Sequence, residues 1–376
     1  MFGCALLILV SSILVILMFG GSEQWQTFSY KLPSPPKLDG ILEPNTRLKN
    51  GFRLAEGKLV GPESLAMRDG ILYTGTADGN ILAIEDENKI KPIATFHQNP
   101  SLECDRYETE HLCGRPLGMR FHNDGFLYVV EAYSGLYKLN VTSGKMIHLL
   151  RSDDQSFRQP MKFVNDFDIT KEGVVYISDT SSNLERRDFW YLPLRADKSG
   201  RIIKHDLKTN KTVTLLEDIG WANGVQLSPE EDYLLYSEGQ FARIMKLMLK
   251  GPNSGKVEVF YENLPSFPDN IRLSRNNNTY WIATSALRKH DFSLYDFVTD
   301  KPWLRTLILK VFHPVNILKA LPKYSLVLEL DLNGDVIRTL HDPDGEMFHT
   351  CSEVLDTEKG LFLGSFQDHF IGKLYL

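Results

Sequence analysis

A short theme repeats six times along this sequence of 376 residues. In each copy a mostly polar segment opens an alternating strand, and a turn then leads into an aromatic or aliphatic second strand. Successive copies start 54, 48, 58, 46 and 83 residues apart. The starts lie at Glu63, Leu117, Asn165, Asn223, Asp269 and Ser352.

This period indicates the fold class. A repeat of roughly 45–55 residues with about four strands per unit is typical of a β-propeller. We therefore predict an all-β, six-bladed β-propeller over residues 51–376. The last interval is long because blade five carries an insertion at about 287–322, which includes an apolar, helix-capable run from Trp303 to Leu318. A pair of β-sandwiches is the alternative, but sandwiches do not repeat at this period.

Closure of the ring requires a strand from the N-terminal side. The last predicted strand, Phe370–Leu376, ends with the sequence and leaves blade six one strand short. The segment Phe52–Val60 is the candidate to complete it. A ring joined in this way buries sheet edges that an open blade would expose.

An apolar segment precedes the repeats. Residues Phe2–Phe19 form an uninterrupted, mostly apolar run, and the first charge is Glu23. This length is short for a membrane-spanning helix and long for a signal-peptide core. We expect a signal anchor over residues 1–21 and a proline-rich linker over 22–50. The small residues at 20–22 keep a cleaved signal peptide as the alternative.

This N-terminus predicts a single-pass type II membrane protein in the endoplasmic reticulum lumen or at the cell surface, or a secreted protein after signal cleavage. Three glycosylation sequons agree with a luminal body. They begin at Asn140, Asn210 and Asn277. The net charge of −6 is spread along the chain without a basic block, which argues against nucleic acid as a partner.

The cysteines point to the same compartment. Cys104 and Cys113 bracket a polar loop that a disulfide would close in an oxidising environment. Two unlinked thiols are the alternative, and a metal site is less favoured because no matching second pair exists. Cys351 lies in an apolar context and is expected to be a buried free thiol.

The repeat starts also predict a site. The innermost strand of each blade lines the central tunnel, so residues at its beginning converge although they are far apart in sequence. The polar members are Glu63, Asn165, Asn223, Asp269 and Asn270. Hard oxygen donors without histidine or cysteine suit calcium. At any single position the alternative is a turn residue that bonds its own backbone.

Several strings resemble the strictosidine synthase-like family over essentially the whole chain. They include Gly61-Pro62-Glu63-Ser64, Asn223-Gly224-Val225-Gln226-Leu227 and Phe267-Pro268-Asp269-Asn270-Ile271-Arg272. The family is related to paraoxonases and regucalcin, which are propellers with a tunnel calcium. The resemblance implies that the calcium ligands fall on the same five residues. A second ion is not expected, because Asp166 matches its site but Ser64 stands where a carboxylate belongs.

The catalytic groups of these relatives do not transfer. Leu117 and the Glu131–Ala132 pair stand where the paraoxonase histidines belong, and Asp356 is the nearest residue to the blade-six glutamate of strictosidine synthase. Strictosidine synthase activity is therefore not expected. The resemblance implies a calcium-dependent hydrolase of aryl esters or lactones, with Glu131, Asp166 or Asp356 as the base that activates water. The alternative is a non-enzymatic scaffold or binding module with structural calcium.

Overall fold

A computed structural model describes residues 2–19, 28–86, 89–97, 99, 101–104, 106–312 and 323–375. The described chain begins with an apolar helix, α1 (Phe2–Phe19), and its first strand is β1 (Phe52–Leu54). The remaining strands form six four-stranded sheets together with β1. The chain is therefore the six-bladed propeller that the repeat predicted.

The first three blades follow one another along the chain. Blade one contains β2 (Leu65–Arg68), β3 (Ile71–Gly75), β4 (Asn80–Asp86) and β5 (Lys89–Thr95). Blade two contains β6 (Pro116–Phe121), β7 (Leu127–Glu131), β8 (Gly135–Leu139) and β9 (Met146–Arg151). Blade three contains β10 (Val164–Ile169), β11 (Val174–Asp179), β12 (Gly200–Asp206) and β13 (Lys211–Ile219).

The other three blades complete the ring. Blade four contains β14 (Ala222–Leu227), β15 (Tyr233–Glu238), β16 (Arg243–Met248) and β17 (Val257–Tyr261). Blade five contains β18 (Ser266–Leu273), β19 (Thr279–Leu287), β20 (Ser325–Asp331) and β21 (Val336–Asp342). Blade six contains β22 (Glu353–Thr357), β23 (Gly360–Gly364) and β24 (Ile371–Leu374), and β1 is its fourth strand.

Four short helices lie outside the sheets in the described ranges. They are α2 (Glu110–Cys113), α3 (Leu192–Arg195), α4 (Leu294–Thr299) and α5 (Pro302–Val311). Turns of 3₁₀ helix occur at Gly40–Leu42, Arg47–Asn50, Arg186–Tyr191 and Gly239–Phe241. The insertion predicted in blade five connects β19 to β20 and holds α4 and α5, while its residues 313–322, which include the end of the predicted helical run at Leu318, lie outside the described residues.

The ring closes as predicted, although with a shorter strand. In β1, Phe52 pairs with Lys373 and Leu54 pairs with Ile371 of β24, both antiparallel. The inner strands of neighbouring blades contact one another around the ring, including β22 against β2. Apolar side chains from facing sheets fill the spaces between blades; for example, Tyr128 of blade two packs in one cluster with Ile177 of blade three.

The ring has two distinct faces. We call the face where the inner strands begin the upper face, and the opposite one the lower face. Because strands alternate in direction, the turns between second and third strands also lie on the upper face. The connection from 180 to 199 in blade three and the described parts of the connection between β19 and β20 in blade five both belong to it. All three sequons lie in lower-face turns: Asn140 after β8, Asn210 after β12 and Asn277 after β18.

The described part of the expected linker is docked on the ring. The buried guanidinium of Arg288 donates to the carbonyl oxygen of Pro33 at 2.9 Å. His290 Nδ1 lies 2.6 Å from the carbonyl oxygen of Pro35. Further along, Asn45 Nδ2 donates to the carbonyl oxygen of Thr339 at 3.1 Å. The described part of this segment therefore runs along blade five and is held there by specific hydrogen bonds.

The predicted apolar helix forms over Phe2–Phe19. Within the part of the chain that the structure describes, no helix meets the length and apolarity needed to span a bilayer. Helix α1 contacts α5 of the blade-five insertion.

Candidate functional site

β-Bulges position most of the predicted ligands. The pairing of inner and second strands shifts register between Val164 and Phe167, between Ala222 and Val225, and between Pro268 and Ile271. The residues inside these shifts are Asn165, Asn223, Asp269 and Asn270 together with their neighbours Asp166 and Gly224. A bulge leaves residues outside the regular ladder and re-aims their side chains. The same local device thus presents the ligand side chains at the upper end of the tunnel.

Gly224 shows why the bulges pack so closely. A Cβ atom built on Gly224 would lie 2.5 Å from the carbonyl oxygen of Asp269 and 2.6 Å from the Cα of Asn270. Real side chains do not tolerate such distances, so the Asn-Gly sequence at this start lets two neighbouring blades meet at the tunnel.

The five predicted ligand residues are all buried, with 1–7% of each residue exposed. Asn270 Nδ2 donates to Glu63 Oε1 at 3.2 Å, which joins two members of the set directly. Asn165 Nδ2 donates to Thr180 Oγ1 at 3.0 Å. The Asn223 amide lies close enough to the Asp269 carboxyl group to lower the pKa of that group, against the effect of burial. The pairs Glu63–Asn270 and Asn223–Asp269 therefore each bring two blades together.

Three oxygens of this set have no hydrogen-bond partner in the described structure. They are Glu63 Oε2, Asn223 Oδ1 and Asn270 Oδ1, and each is shielded from solvent. A buried polar atom without a partner costs roughly 1–3 kcal/mol, so native proteins rarely keep several together. The donors are hard oxygens, and calcium accepts six to eight of them in flexible geometry. This donor set therefore fits a calcium ion.

The carboxyl groups are perturbed in the way such a site requires. Burial raises the pKa of Glu63 to about 8. Burial also raises the pKa of Asp269 well above its usual value, and the nearby charge of Glu63 adds to this rise. Two acids that cannot both ionise in an apolar site would be stabilised by a cation between them. In the described ranges no group of three or more His, Cys, Asp or Glu side chains could hold a metal, so an ion bound at this position would also need the amide oxygens.

Sequence reasoning missed a second ionic cluster. Arg272 Nη1 donates to Asp166 Oδ2 at 2.8 Å, and Arg272 Nη2 lies 2.5 Å from Glu353 Oε2. Ser64 Oγ donates to the same Glu353 oxygen at 2.9 Å. All four residues are buried. Asp166 and Ser64 were the positions compared with a second calcium site, and here they surround a guanidinium.

The three predicted bases lie in different surroundings. Glu131 accepts hydrogen bonds from the amides of Arg115, Tyr133 and Ser134, and Asp166 is occupied by Arg272 and by the Val225 amide at 2.8 Å. Neither carboxylate is open to a water molecule.

Asp356 is at the other end of the ring. It lies near the lower end of β22 and accepts from the Arg275 amide at 3.3 Å and from Trp281 Nε1 at 3.4 Å. The structure therefore does not bring Asp356 together with the ligand set.

A histidine at the upper face offers a different proton acceptor. His349 Nδ1 lies 3.4 Å from Asp368 Oδ1, and burial raises the pKa of Asp368. The Asp368 carbonyl oxygen accepts from the Gly61 amide at 2.8 Å, two residues before Glu63. The sequence signal was weak, because His349 precedes a repeat start and Asp368 lies in a turn.

The blade-three insertion reaches across the tunnel mouth. Phe189 and Trp190 contact the ring of Phe366, a residue of blade six on the opposite side of the ring, with centroid distances of 5.7 and 6.1 Å. The insertion is held by the buried pair of Arg186 and Glu110 at 2.8 Å. It was not predicted, although the interval of 58 residues between Asn165 and Asn223 contained the signal.

The predicted disulfide between Cys104 and Cys113 is confirmed. It closes the loop that carries Glu110, and Glu110 pairs with Arg186 of the blade-three insertion. The disulfide therefore constrains the loop to which this insertion is attached. Cys351 is a buried free thiol, also as expected.

Comparisons with known proteins agree with this architecture. The family described as "Strictosidine synthase" matches residues 165–252, and "Strictosidine synthase-like, N-terminal" matches residues 40–84. Adipocyte plasma membrane-associated protein of Danio rerio is 41% identical over 365 residues, covering 96% of this chain and 87% of that protein. The Homo sapiens protein of the same name is 40% identical over 353 residues, covering 93% and 83%.

Solved structures show the same fold at low sequence identity. A gluconolactonase from Xanthomonas campestris has a TM-score of 0.57 at 13% identity, covering 86% of this chain and 88% of that one. A calcium-binding protein, regucalcin, from Agrobacterium tumefaciens has a TM-score of 0.56 at 12% identity, covering 86% and 92%. At these identities the likeness concerns the fold alone.

Proposed function

This chain belongs to the adipocyte plasma membrane-associated protein family, a strictosidine synthase-like family, and from that premise we propose that it is a calcium-binding hydrolase of esters or lactones. The observation that carries the proposal is the group of three buried oxygens without partners, on Glu63, Asn223 and Asn270. They belong to three inner-strand starts, and Asp269, together with Asn165 at a fourth start, would complete the ligand set.

The chain's own residues supply positioning and exclusion of water. Glu63, Asn165, Asn223, Asp269 and Asn270 would hold the ion, and bound calcium would supply a Lewis acid for a substrate carbonyl. The Ser352 hydroxyl donates to the Glu63 carbonyl oxygen at 2.7 Å and the Ser237 hydroxyl to that of Asp269 at 2.7 Å. These bonds hold the two acidic ligands in place, and the blade-three insertion covers the mouth above them.

Hydrolysis also needs a group that accepts a proton. The water oxygen forms a bond to the carbonyl carbon, the bond to the leaving oxygen breaks, and one proton of the water passes through the base to that leaving oxygen. Because Glu131 and Asp166 are already occupied and Asp356 is remote, we assign this role to His349, oriented by Asp368. Its imidazole is one-third exposed, unlike the buried carboxylates.

The proposal is tested on the full chain in detergent. Hydrolysis of phenyl acetate and of an aromatic lactone is measured with calcium and with chelator, for the wild type, Asp269→Asn and His349→Gln. We expect activity to need calcium and to fall at least about tenfold in both variants, since each loses one group used in the transition state. Glu230→Gln, an exposed carboxylate away from the site, is the matched control.

The scaffold alternative has its own supporting observation. The mouth is bridged by aromatic side chains, and every predicted ligand residue is at most 7% exposed, which also suits a purely structural ion. Under this alternative, calcium raises the melting temperature of the wild type and not of Asp269→Asn, while neither protein hydrolyses any substrate. That combination would reject the hydrolase and retain the calcium site.

We also propose that α1 anchors the ring to a membrane, with the body in the lumen of the secretory pathway or outside the cell. Support comes from the apolar sequence of α1, the disulfide and the printed names of the relatives. Alkaline carbonate extraction should leave the full-length chain in the membrane fraction. Recovery of a shortened chain in the supernatant would favour a cleaved signal peptide.

A further inference from the structure

The blade-five insertion exposes a cluster of large apolar side chains. Between residues 292 and 312 six of them are at least 45% exposed, and Phe292 and Trp303 reach 61% and 57%. We call this cluster the insertion patch; its members are Phe292, Leu294, Phe297, Trp303, Val311 and Phe312. Single exposed apolar residues, such as Val213 or Val259 on the outer strands, are ordinary in soluble surfaces, whereas a cluster of aromatic residues is not.

The patch is held rigidly by the opposite side of the same helices. Val298 and Leu309 are buried and pack with Leu194 of the blade-three insertion. The buried guanidinium of Arg305 donates to the Leu194 carbonyl oxygen at 3.1 Å, and Arg288 pairs with Asp296 at 2.5 Å. The two insertions therefore form one layer on the upper face, and the insertion patch is the outer surface of that layer.

Helix α1 extends the same apolar surface. It contacts α5, carries no charge and leaves Ile8, Leu9 and Val15 more than half exposed. The chain after it is fastened to the insertion, because Tyr30 Oη and Tyr295 Oη lie 2.5 Å apart and the Phe28 carbonyl oxygen accepts from Arg305. Helix α1 and the insertion patch are fixed side by side, so a single apolar environment could remove both surfaces from water.

The polar modification sites lie on the other side of the ring. Asn140, Asn210 and Asn277 are all in lower-face turns, so glycans on them would point away from the insertions. Lys301 lies among the patch residues, with its ammonium group 4.3 Å from the centre of the Phe297 ring, and Lys310 is in the last turn of α5. Aromatic residues beside lysines are typical of helices at the boundary between lipid headgroups and acyl chains.

We propose that the insertion patch lies in the interfacial layer of the lipid bilayer that also receives α1, so that the upper face and its tunnel mouth are held against the membrane. The occupant of the patch is lipid. This inference rests on exposed side chains and their placement, and it stands whether or not the tunnel hydrolyses esters. A tunnel mouth at the membrane would admit ligands that partition into lipid.

The test measures the depth of Trp303 in the full chain, reconstituted at one copy per phosphatidylcholine nanodisc. Fluorescence of the wild type and of Trp303→Phe is recorded with ordinary lipid and with lipid brominated near the headgroup. The difference between the two proteins isolates Trp303 from the other four tryptophans. We expect bromination to reduce this difference signal by about half or more, as for an interfacial tryptophan.

Trp281→Phe is the matched control, because Trp281 is in the same blade but only 1% exposed. Its difference signal should be the same in both lipids. A Trp303 signal that is unchanged by bromination would overturn the proposal. If the patch instead binds a second copy or another protein, it faces water in a disc that holds a single copy. The Trp303 signal then stays unchanged by bromination, which counts against lipid as the occupant.

Discussion

Glu63 is a carboxyl group that is fully buried, bonded on one oxygen and unpartnered on the other. Its folded pKa of about 8 lies above its usual value of 4.5, because burial disfavours the charged form. Without metal the folded chain therefore holds a proton that the unfolded chain releases between these two values. The contribution of this proton to the unfolding free energy is fully present below about pH 4.5 and is lost as the pH rises through 8.

This shift predicts how calcium and pH interact. In chelator, we expect unfolding free energy to fall by on the order of 3 kcal/mol between pH 5 and pH 8.5. Calcium should remove much of that loss, and its affinity should rise with pH because the proton must leave. Thermal and chemical denaturation across this range measure both effects. Glu63→Gln, which cannot ionise, should flatten the dependence of the unfolding free energy on pH in chelator. An unchanged slope would show that another group causes the pH dependence.

We propose that Arg272 limits the tunnel to one ion. Its guanidinium lies between Asp166 and Glu353, where a second cation would otherwise be needed. Arg272→Met should lower the free energy of unfolding by about 3–5 kcal/mol, because it leaves the buried carboxylates of Asp166 and Glu353 without their arginine partner. Calcium titration should find one ion in the wild type, and a second, weaker site in Arg272→Met would show that arginine replaces an ion. Two ions in the wild type would contradict this interpretation.

The control for Arg272 is a pair of similar charge at the surface. Lys208 and Glu172 form an exposed ion pair, so Lys208→Met should change stability by no more than about 1 kcal/mol. A comparable loss in both variants would mean that burial of the Arg272 cluster has no special energetic role.

At the scale of single elements, the repeated β-bulge explains which site residues were predictable. Asn165, Asn223 and Asp269 are at matching repeat positions, so the period places them together before any contact is known. Arg272 and Glu353 also lie on inner strands, but sequence gives no sign that an arginine points inward from one blade to two others. The cross-blade pairing depends on side-chain direction in three dimensions.

The disulfide supports another element, the blade-three insertion. Replacing both Cys104 and Cys113 by serine should lower the unfolding free energy by about 2–3 kcal/mol, the loop-closure value for a short loop. Because this loop carries Glu110, hydrogen exchange should also increase in residues 186–191, which Arg186 anchors to it. Faster exchange confined to residues 104–113 would show that the insertion is stable by itself.

At the scale of the whole molecule, the two faces of the ring have different chemistry. The upper face carries the tunnel mouth, both insertions and the apolar helix, while the three sequons are on the lower face. The full-length chain made in a eukaryotic secretory pathway should carry N-linked glycans, and endoglycosidase treatment should therefore make it migrate faster in a gel. Asn140→Gln, Asn210→Gln and Asn277→Gln, combined one after another, should each remove part of this gel shift without changing the calcium-dependent rise in melting temperature. An unshifted band in the wild type would contradict a luminal body.

The sequence by itself determined the blade number, the closing strand and the disulfide, because a repeat carries its periodicity in local order; the set of oxygen donors at the repeat starts stays a prediction. Only the tertiary structure decided that the linker is docked, that an arginine stands beside the donor set, that Asp356 is remote and that the blade-three insertion crosses the mouth. These properties depend on the directions of individual side chains and on the paths of the connecting segments across the ring, and the repeat pattern encodes neither.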